Sequence, residues 1–208
     1  MFYFVKTPGW LKYIYQECIW QMPETNKALY LSFDDGPHPR ATEFVLEELD
    51  KFQAKATFFC IGKNVEMHKD LFGTIQHQGH AIGNHTHQHL NGWNTDDEVY
   101  LDDIARAQTI IPSTIFRPPY GRIRKSQLKK MQSRFPEMKT IMWSVLSGDF
   151  DPELKTPECT NNVLNNSGDG SIIVFHDSEK AFGKLKVALP EILKAFTDKG
   201  FSFKKIDV

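Results

Sequence analysis

Two histidines four positions apart, His85 and His89 in the run HTHQH, and two adjacent aspartates, Asp34 and Asp35 in FDDGPHP, are the residues whose types and spacing could do chemistry together. Histidines at i and i+4 can turn their imidazoles to one side and grip a single metal ion. A carboxylate as third ligand would complete a facial set and leave positions open for water; the Asp34–Asp35 pair supplies one, with one to spare. Taken alone, such a histidine pair is more often a loop accident than a metal site, and DDGP alone can be turn chemistry. Their coincidence on neighbouring strand ends reverses that balance. Of the other histidines, His87 should point away from the pair as a surface or supporting residue, His80 should be structural, and His38, His68 and His77 fall in turns or on helices with no role assigned.

The elements that must position these residues follow from hydrophobic periodicity. Strands are expected at 28–33, 56–60, 80–82, 114–116, 139–145, 171–175 and near 201–206. Helices are expected at 41–53 and near 65–78, 95–109, 125–134 and 188–199, the last with Pro190 in its first turn. The segment NNVLNNSGDG reads as an Asn/Gly-rich loop. Alternation of this kind means parallel strands joined by helical crossovers. In such folds chemistry collects at the C-terminal strand ends. Those ends carry Asp34 and Asp35, then GNHTHQH, RPPYG, LSGDFD, and finally His176 with Asp177 after SIIVF.

Composition narrows the partners. A chain of 208 residues with 40% hydrophobic content can fill one core, and its formal net charge of −1 gives no electrostatic reason to expect nucleic acid or an anionic membrane. A small molecule or neutral polymer is the expected partner. Three scattered cysteines, Cys18, Cys60 and Cys159, suggest neither a disulfide framework nor a cysteine zinc site. Lys6, Pro8, Gly9 and Lys12 interrupt the first twenty residues, so they read as neither signal peptide nor membrane span, and the chain reads as cytoplasmic. Leu11, Ile14, Tyr15, Cys18 and Ile19 recur at helical spacing. Residues 1–26 are therefore expected to form a strap or extension on a single domain, 27–208; the oligomeric state is left open.

The ordered set LSFDDGP, HTHQH, RPPYG and VFHD, spread over residues 31–177, resembles the NodB-homology polysaccharide deacetylases of carbohydrate esterase family 4. The resemblance implies an α/β fold, a distorted (β/α) barrel with fewer than eight strands, expected to be seven. It implies one divalent metal ion, zinc first with cobalt or nickel as alternatives, held by Asp35, His85 and His89. Asp34 would be the base, Arg117 the residue orienting it, Tyr120 the backbone N–H donor to an oxyanion, and His176 the acid. Pro118, Pro119, Tyr120, Phe150 and Val174 would contact an acetylated glycan or amino-sugar substrate. The implied reaction is removal of N-acetyl groups from N-acetylglucosamine units of peptidoglycan or chitin-like oligomers. An O-acetyl esterase, a small-amide hydrolase and a catalytically silent carbohydrate-binding relative remain as alternatives. Members that act on cell-wall glycans usually work at the envelope, against the cytoplasmic reading.

The chain departs from the family pattern in WSVLSGDFD. An aspartate that would pair with the motif arginine aligns with Leu146, and a groove tryptophan aligns with Phe150. Asp149 remains, and with Asp151 it is a candidate partner for Arg117. Elsewhere, Leu90 follows His89 where a proline is usual, and Val174 replaces a leucine in the acyl pocket.

Overall fold

The computed structural model describes residues 3–23 and 26–208. In chain order the elements are α1 (Gly9–Ile14), β1 (Ala28–Asp34), α2 (Pro39–Lys51), β2 (Thr57–Cys60), α3 (Gly62–Met67), α4 (Lys69–His77), β3 (Ala81–Asn84), α5 (Asp97–Gln108), β4 (Ile115–Phe116), α6 (Lys125–Arg134), β5 (Lys139–Thr140), β6 (Val145–Leu146), α7 (Thr156–Asn166), β7 (Ile172–His176), α8 (Glu179–Asp198) and β8 (Ser202–Phe203). Single 3₁₀ turns occupy Gly92–Asn94 and Pro119–Gly121.

Seven strands lie in the order β5-β4-β3-β2-β1-β7-β6, all neighbours parallel, and curl into a half-barrel. The short β8 pairs with the first residues of β1. This is the distorted seven-stranded barrel expected from the sequence. β1 sits near the middle of the row because every residue in ALYLSFD is buried, as a parallel strand covered on both faces requires. Its alternate residues sort by face. Leu29, Leu31 and Phe33 join Val45 and Leu49 of α2 and Leu189 and Ile192 of α8 in the layer between sheet and helices. Ala28 and Tyr30 join Phe59, Ile141 and Ile172 on the other side. Period two then puts Ser32 and Asp34 on that second face, so the sequence of β1 delivers a carboxylate to the barrel mouth.

Four expectations are corrected. The helix near 65–78 is two helices. α3 is tied to the site loops, with Gly62 N–H and Lys63 N–H donating to Thr86 O and His87 O, while α4 buries Phe72 and Ile75 in the core; the backbone at His68 takes up the difference. The strand at 139–145 is β5 and β6, at opposite ends of the row, with Ile141–Ser144 crossing between them. Apolar periodicity cannot see that crossing. NNVLNN is the body of α7, because Cys159, Thr160 and Val163 bury one side and Glu158 accepts from Lys155 N–H at 2.8 Å, closing its first turn. The last helix starts at Glu179, and Pro190 lies in its interior. A mid-helix proline costs about 3 kcal/mol. Extending the stripe Leu189, Ile192, Leu193 and Phe196 backwards through Ala181, Phe182, Leu185 and Ala188 buries several side chains at roughly 1.5–3 kcal/mol for each large one. Packing wins.

The segment before β1 lies along the seam of the row. Lys6 bridges antiparallel to Val145 of β6, and Ile19 bridges parallel to Ile141 just after β5. Thr7 N–H donates to Ser144 O, Leu146 N–H to Val5 O and Met142 N–H to Ile19 O. Terminal strands that would otherwise expose unpaired backbone are thereby covered. The helical spacing noted over 11–19 holds only to Ile14; Cys18 and Trp20 are buried against Tyr100, Phe116 and Met142. No helix among the described residues is long and apolar enough to cross a membrane.

Candidate active site

Asp35, His85 and His89 come together at the barrel mouth, their ligand atoms all within 4.8 Å of one another. His89 Nε2 is 3.1 Å and His85 Nε2 3.6 Å from Asp35 Oδ1. That oxygen is buried and accepts no well-formed hydrogen bond among the described residues. His85 Nδ1 lies 2.7 Å from Arg117 O, so its N–H donates there and Nε2 keeps a lone pair facing the carboxylate. Burial pulls the His85 pKa down to about 4, keeping the imidazole in its neutral, ligating form. Burial alone would raise Asp35, but His89, His176 and His85 outweigh it and hold the carboxyl well below the usual range. A buried carboxylate oxygen without a well-formed hydrogen bond, facing His85 Nε2 and His89 Nε2, fits a divalent cation.

The backbone is bent to make this possible. Asp35 (φ 80°), Thr86 (φ 62°), His89 (φ 59°) and Tyr120 (φ 60°) occupy the left-handed region without being glycine. Each costs on the order of 1–3 kcal/mol, and such residues cluster where function demands them. Next to Asp35, Gly36 is required by crowding: a Cβ there would lie 2.1 Å from Asp177 Oδ2. Gly36 N–H donates to Asp177 Oδ1 at 3.0 Å, and Thr42 Oγ1 donates to Oδ2. Burial, with Asp35 nearby, lifts Asp177 to about 8 despite these bonds, so it is a neutral brace under the Asp35 turn. Sequence reasoning gave Asp177 no role, although it adjoins His176 in the VFHD motif.

Arg117 is fully buried, at 0% exposure, and its guanidinium makes four hydrogen bonds. Nη1 donates to Asp34 Oδ1 at 2.7 Å and Ser32 Oγ at 2.8 Å, Nε to Ile141 O at 3.2 Å, and Nη2 to Met142 O at 3.0 Å. The ring of Phe59 lies 4.0 Å beneath it. The crossing segment after β5 thus supplies two carbonyls that hold the arginine. Neither Asp149 nor Asp151 pairs with Arg117, a correction to the expectation that one might replace the missing aspartate at position 146. Leu146 instead is a buried wall residue opposite Val174.

Asp149 belongs to His176. Its Oδ2 accepts from His176 N–H at 2.7 Å and its Oδ1 lies 2.8 Å from Nδ1, so Nδ1–H donates to it and Nε2 is left for the cleft. Burial would lower His176, but the Asp149 charge and hydrogen bond, with Asp35 and Asp34, raise it to about 9. Asp34 and His176 are register partners on β1 and β7. The structure therefore sets a carboxylate paired to a permanent cation beside an imidazole paired to a buried anion, next to the three ligating groups.

Asp34, Asp35, His85, His89 and His176 border one cleft of about 440 Å³, which Tyr120, Phe150, Leu146 and Val174 also line. Pro118 and Pro119 are not among the lining residues; they frame the 3₁₀ turn, where Gly121 and Arg122 N–H are committed to Pro118 O and Pro119 O. The Tyr120 N–H carries no such commitment among the described residues. His87, expected to be a surface or supporting residue, is buried, with Nε2 3.7 Å from Glu66. His80 is buried and accepts from Ala56 N–H, and His38 caps α2 by accepting from Ala41 N–H. Tyr3, Phe4 and Trp10 of the N-terminal strap also line the cleft; the sequence offered no signal for them beyond their aromatic character.

The parallel half-barrel thus carries an Asp-His-His cluster that could hold a metal ion, with Asp34 and His176 beside it, at its strand ends. Residues 21–134 match the family model described as polysaccharide deacetylase, and the chain belongs to that family. It is 32% identical over 192 residues to a peptidoglycan-N-acetylglucosamine deacetylase of Bacillus cereus, covering 88% of each chain. A chitooligosaccharide deacetylase of Azorhizobium caulinodans is 32% identical over 164 residues, or 76% of this chain and 77% of that one. Among solved structures, a peptidoglycan N-acetylglucosamine deacetylase in complex with a substituted N-oxidanyl-benzamide superposes with a TM-score of 0.86 at 30% identity, covering 96% of this chain and 95% of that one.

Proposed function

We propose that this protein is a metal-dependent hydrolase that removes N-acetyl groups from N-acetylglucosamine units of a glycan, of the peptidoglycan or chitin-oligomer class. The observation that carries the reading is the pairing of Asp34 and His176 across β1 and β7, beside Asp35, His85 and His89. The names of the relatives support the substrate class. Two imidazoles and one carboxylate suit zinc, and cobalt or nickel could use the same ligands.

Asp35, His85 and His89 would hold a divalent ion, which when bound would supply Lewis acidity for water and for an acyl oxygen. Asp34, turned by Arg117 through Oδ1, keeps Oδ2 to take the proton of the attacking water. The Tyr120 N–H donates to the oxygen as negative charge grows on it. His176 gives its Nε2 proton to the departing nitrogen. Its elevation to about 9 keeps that proton available at neutral pH, which favours an amide, whose amine must leave protonated, over an ester.

The test is release of acetate, with matching appearance of free amine, from N-acetylglucosamine oligomers and from peptidoglycan. The expected result is release that stops on chelation and returns with added zinc. Acetate released only from O-acetylated glycans, with no amine formed, would refute the amide reading. Elemental analysis of His89→Ala should show less metal than wild type; equal content would refute the ligand set.

A further inference from the structure

Aromatic surface is unevenly spread over this molecule. Of the five aromatic side chains left exposed among the described residues, Phe4 (42%), Trp10 (57%), Trp93 (54%) and Tyr120 (55%) line the cleft described above, and Tyr13 does not. Apolar surface kept in water around a site usually has an occupant. Two of these four, Phe4 and Trp10, come from the strap, whose first twenty residues precede the family match at 21–134. They touch edge to face, ring centroids 6.2 Å apart.

The strap is held firmly. Besides its bonds to the row, Tyr15 Oη donates to Ile123 O at 3.3 Å, Thr7 Oγ1 donates to Trp143 O at 2.7 Å, and Lys125 Nζ reaches Ile14 O and Glu17. Its course runs from the acid side of the cleft to the far side. At one end Tyr3 packs on Phe150 at 5.2 Å, and Phe150 packs on His176 at 5.1 Å. At the other end Tyr15 reaches the turn after Tyr120, whose ring lies 4.6 Å from His89. Trp10 stands between these anchorages with more than half its surface open, on backbone that does not need to move.

We propose that Trp10, with Phe4 against its edge, is a stacking platform for a pyranose ring next to the one whose acetyl group meets Asp34 and His176. The strap, rather than the strand ends, then sets a preference for oligomers over single sugars. The inference rests on the glycan reading above. A pyranose offers one face of C–H groups and a rim of hydroxyls, and the C–H face suits a flat, exposed indole. Such a platform adds affinity only when a neighbouring sugar exists to occupy it.

The experiment uses the zinc-loaded full chain and measures kcat/KM for the N-acetylglucosamine tetramer relative to the monosaccharide, in wild type, Trp10→Ala and Trp10→Phe. The ratio should fall about tenfold in Trp10→Ala, the size of a lost ring contact, and largely recover in Trp10→Phe. A ratio unchanged in Trp10→Ala would overturn the proposal. If wild type turns over neither sugar, the deacetylase reading fails by itself, and calorimetric titration of the tetramer decides the platform separately. A Kd weakened about tenfold by Trp10→Ala supports it, on the same energetic grounds; an equal Kd, or no binding to wild type, overturns it. A Trp10→Ala effect confined to self-association, with the Kd for tetramer unchanged, would show that the patch meets a second copy and overturn it too.

Discussion

Two buried ion pairs flank the ligating cluster, and they differ in which partner is hidden. In the first, Arg117 is the fully buried member and Asp34 the one nearer the cleft. In the second, Asp149 is the fully buried member and His176 faces outward. The hidden arginine cannot give up its proton, so Asp34 always meets a cation at Oδ1. The hidden aspartate faces a group that can lose its proton, so it raises that group's pKa. One arrangement fixes the geometry of a carboxylate; the other shifts the pKa of an imidazole. Asp177 is a third buried carboxyl, and burial, with Asp35 nearby, lifts its pKa to about 8.

The comparison breaks most sharply at Asp34. Asp34→Asn should lower kcat by about 10²–10⁴-fold, the usual contribution of a general base, while metal content stays at the wild-type level. Asp35→Asn should lose metal as well as rate. Assays of turnover and bound zinc on both variants check this; equal metal loss in the two would erase the division between base and ligand.

Arg117→Leu should show how much stability the first pair holds. Removing one member of a buried pair costs about 3–5 kcal/mol because the other charge is left alone. Urea denaturation of the two proteins measures it, and a loss below about 1 kcal/mol, the range of an exposed pair, would mean that Asp34 finds another partner.

Asp149→Asn removes the charge and keeps only one of the two acceptors that His176 uses, since an amide has a single oxygen, so its main expected effect is on pH. His176 must be protonated to serve as acid, so the alkaline limb of kcat/KM should lie near the raised value of about 9 and move down toward the ordinary 6.5 in the variant. The same pair has a stability signature. A histidine raised in the folded state stabilises fully below its unfolded pKa and loses that contribution as pH rises through the folded one. Wild type should therefore lose stability between about pH 6.5 and 9, and the variant should lose less. An alkaline limb that does not move would separate Asp149 from the acid.

The smallest effect is expected at Asp177. A carboxyl already neutral can be replaced by its amide, so Asp177→Asn should cost less than about 1 kcal/mol, the worth of one ordinary hydrogen bond. Thermal denaturation near pH 7 checks this, and a loss comparable to that of Arg117→Leu would show that Asp177 is held charged.

The sequence by itself determined the strand–helix alternation and the delivery of Asp34, His85, Arg117 and His176 to strand ends, because local periodicity fixes which element forms and which face a residue takes. It also carried the ordered motifs that place the chain among the polysaccharide deacetylases. It could not separate β5 from β6, start α8 at Glu179, or turn NNVLNN into a helix, because in each case packing against distant elements overrides the local signal. Nor could it tell that Asp149 serves His176 instead of Arg117, or that Trp10 shares a cleft with His89. Such pairings depend on which strand ends the half-barrel brings side by side and on what the strap closes over, and contacts between residues far apart in the chain exist only once it has folded.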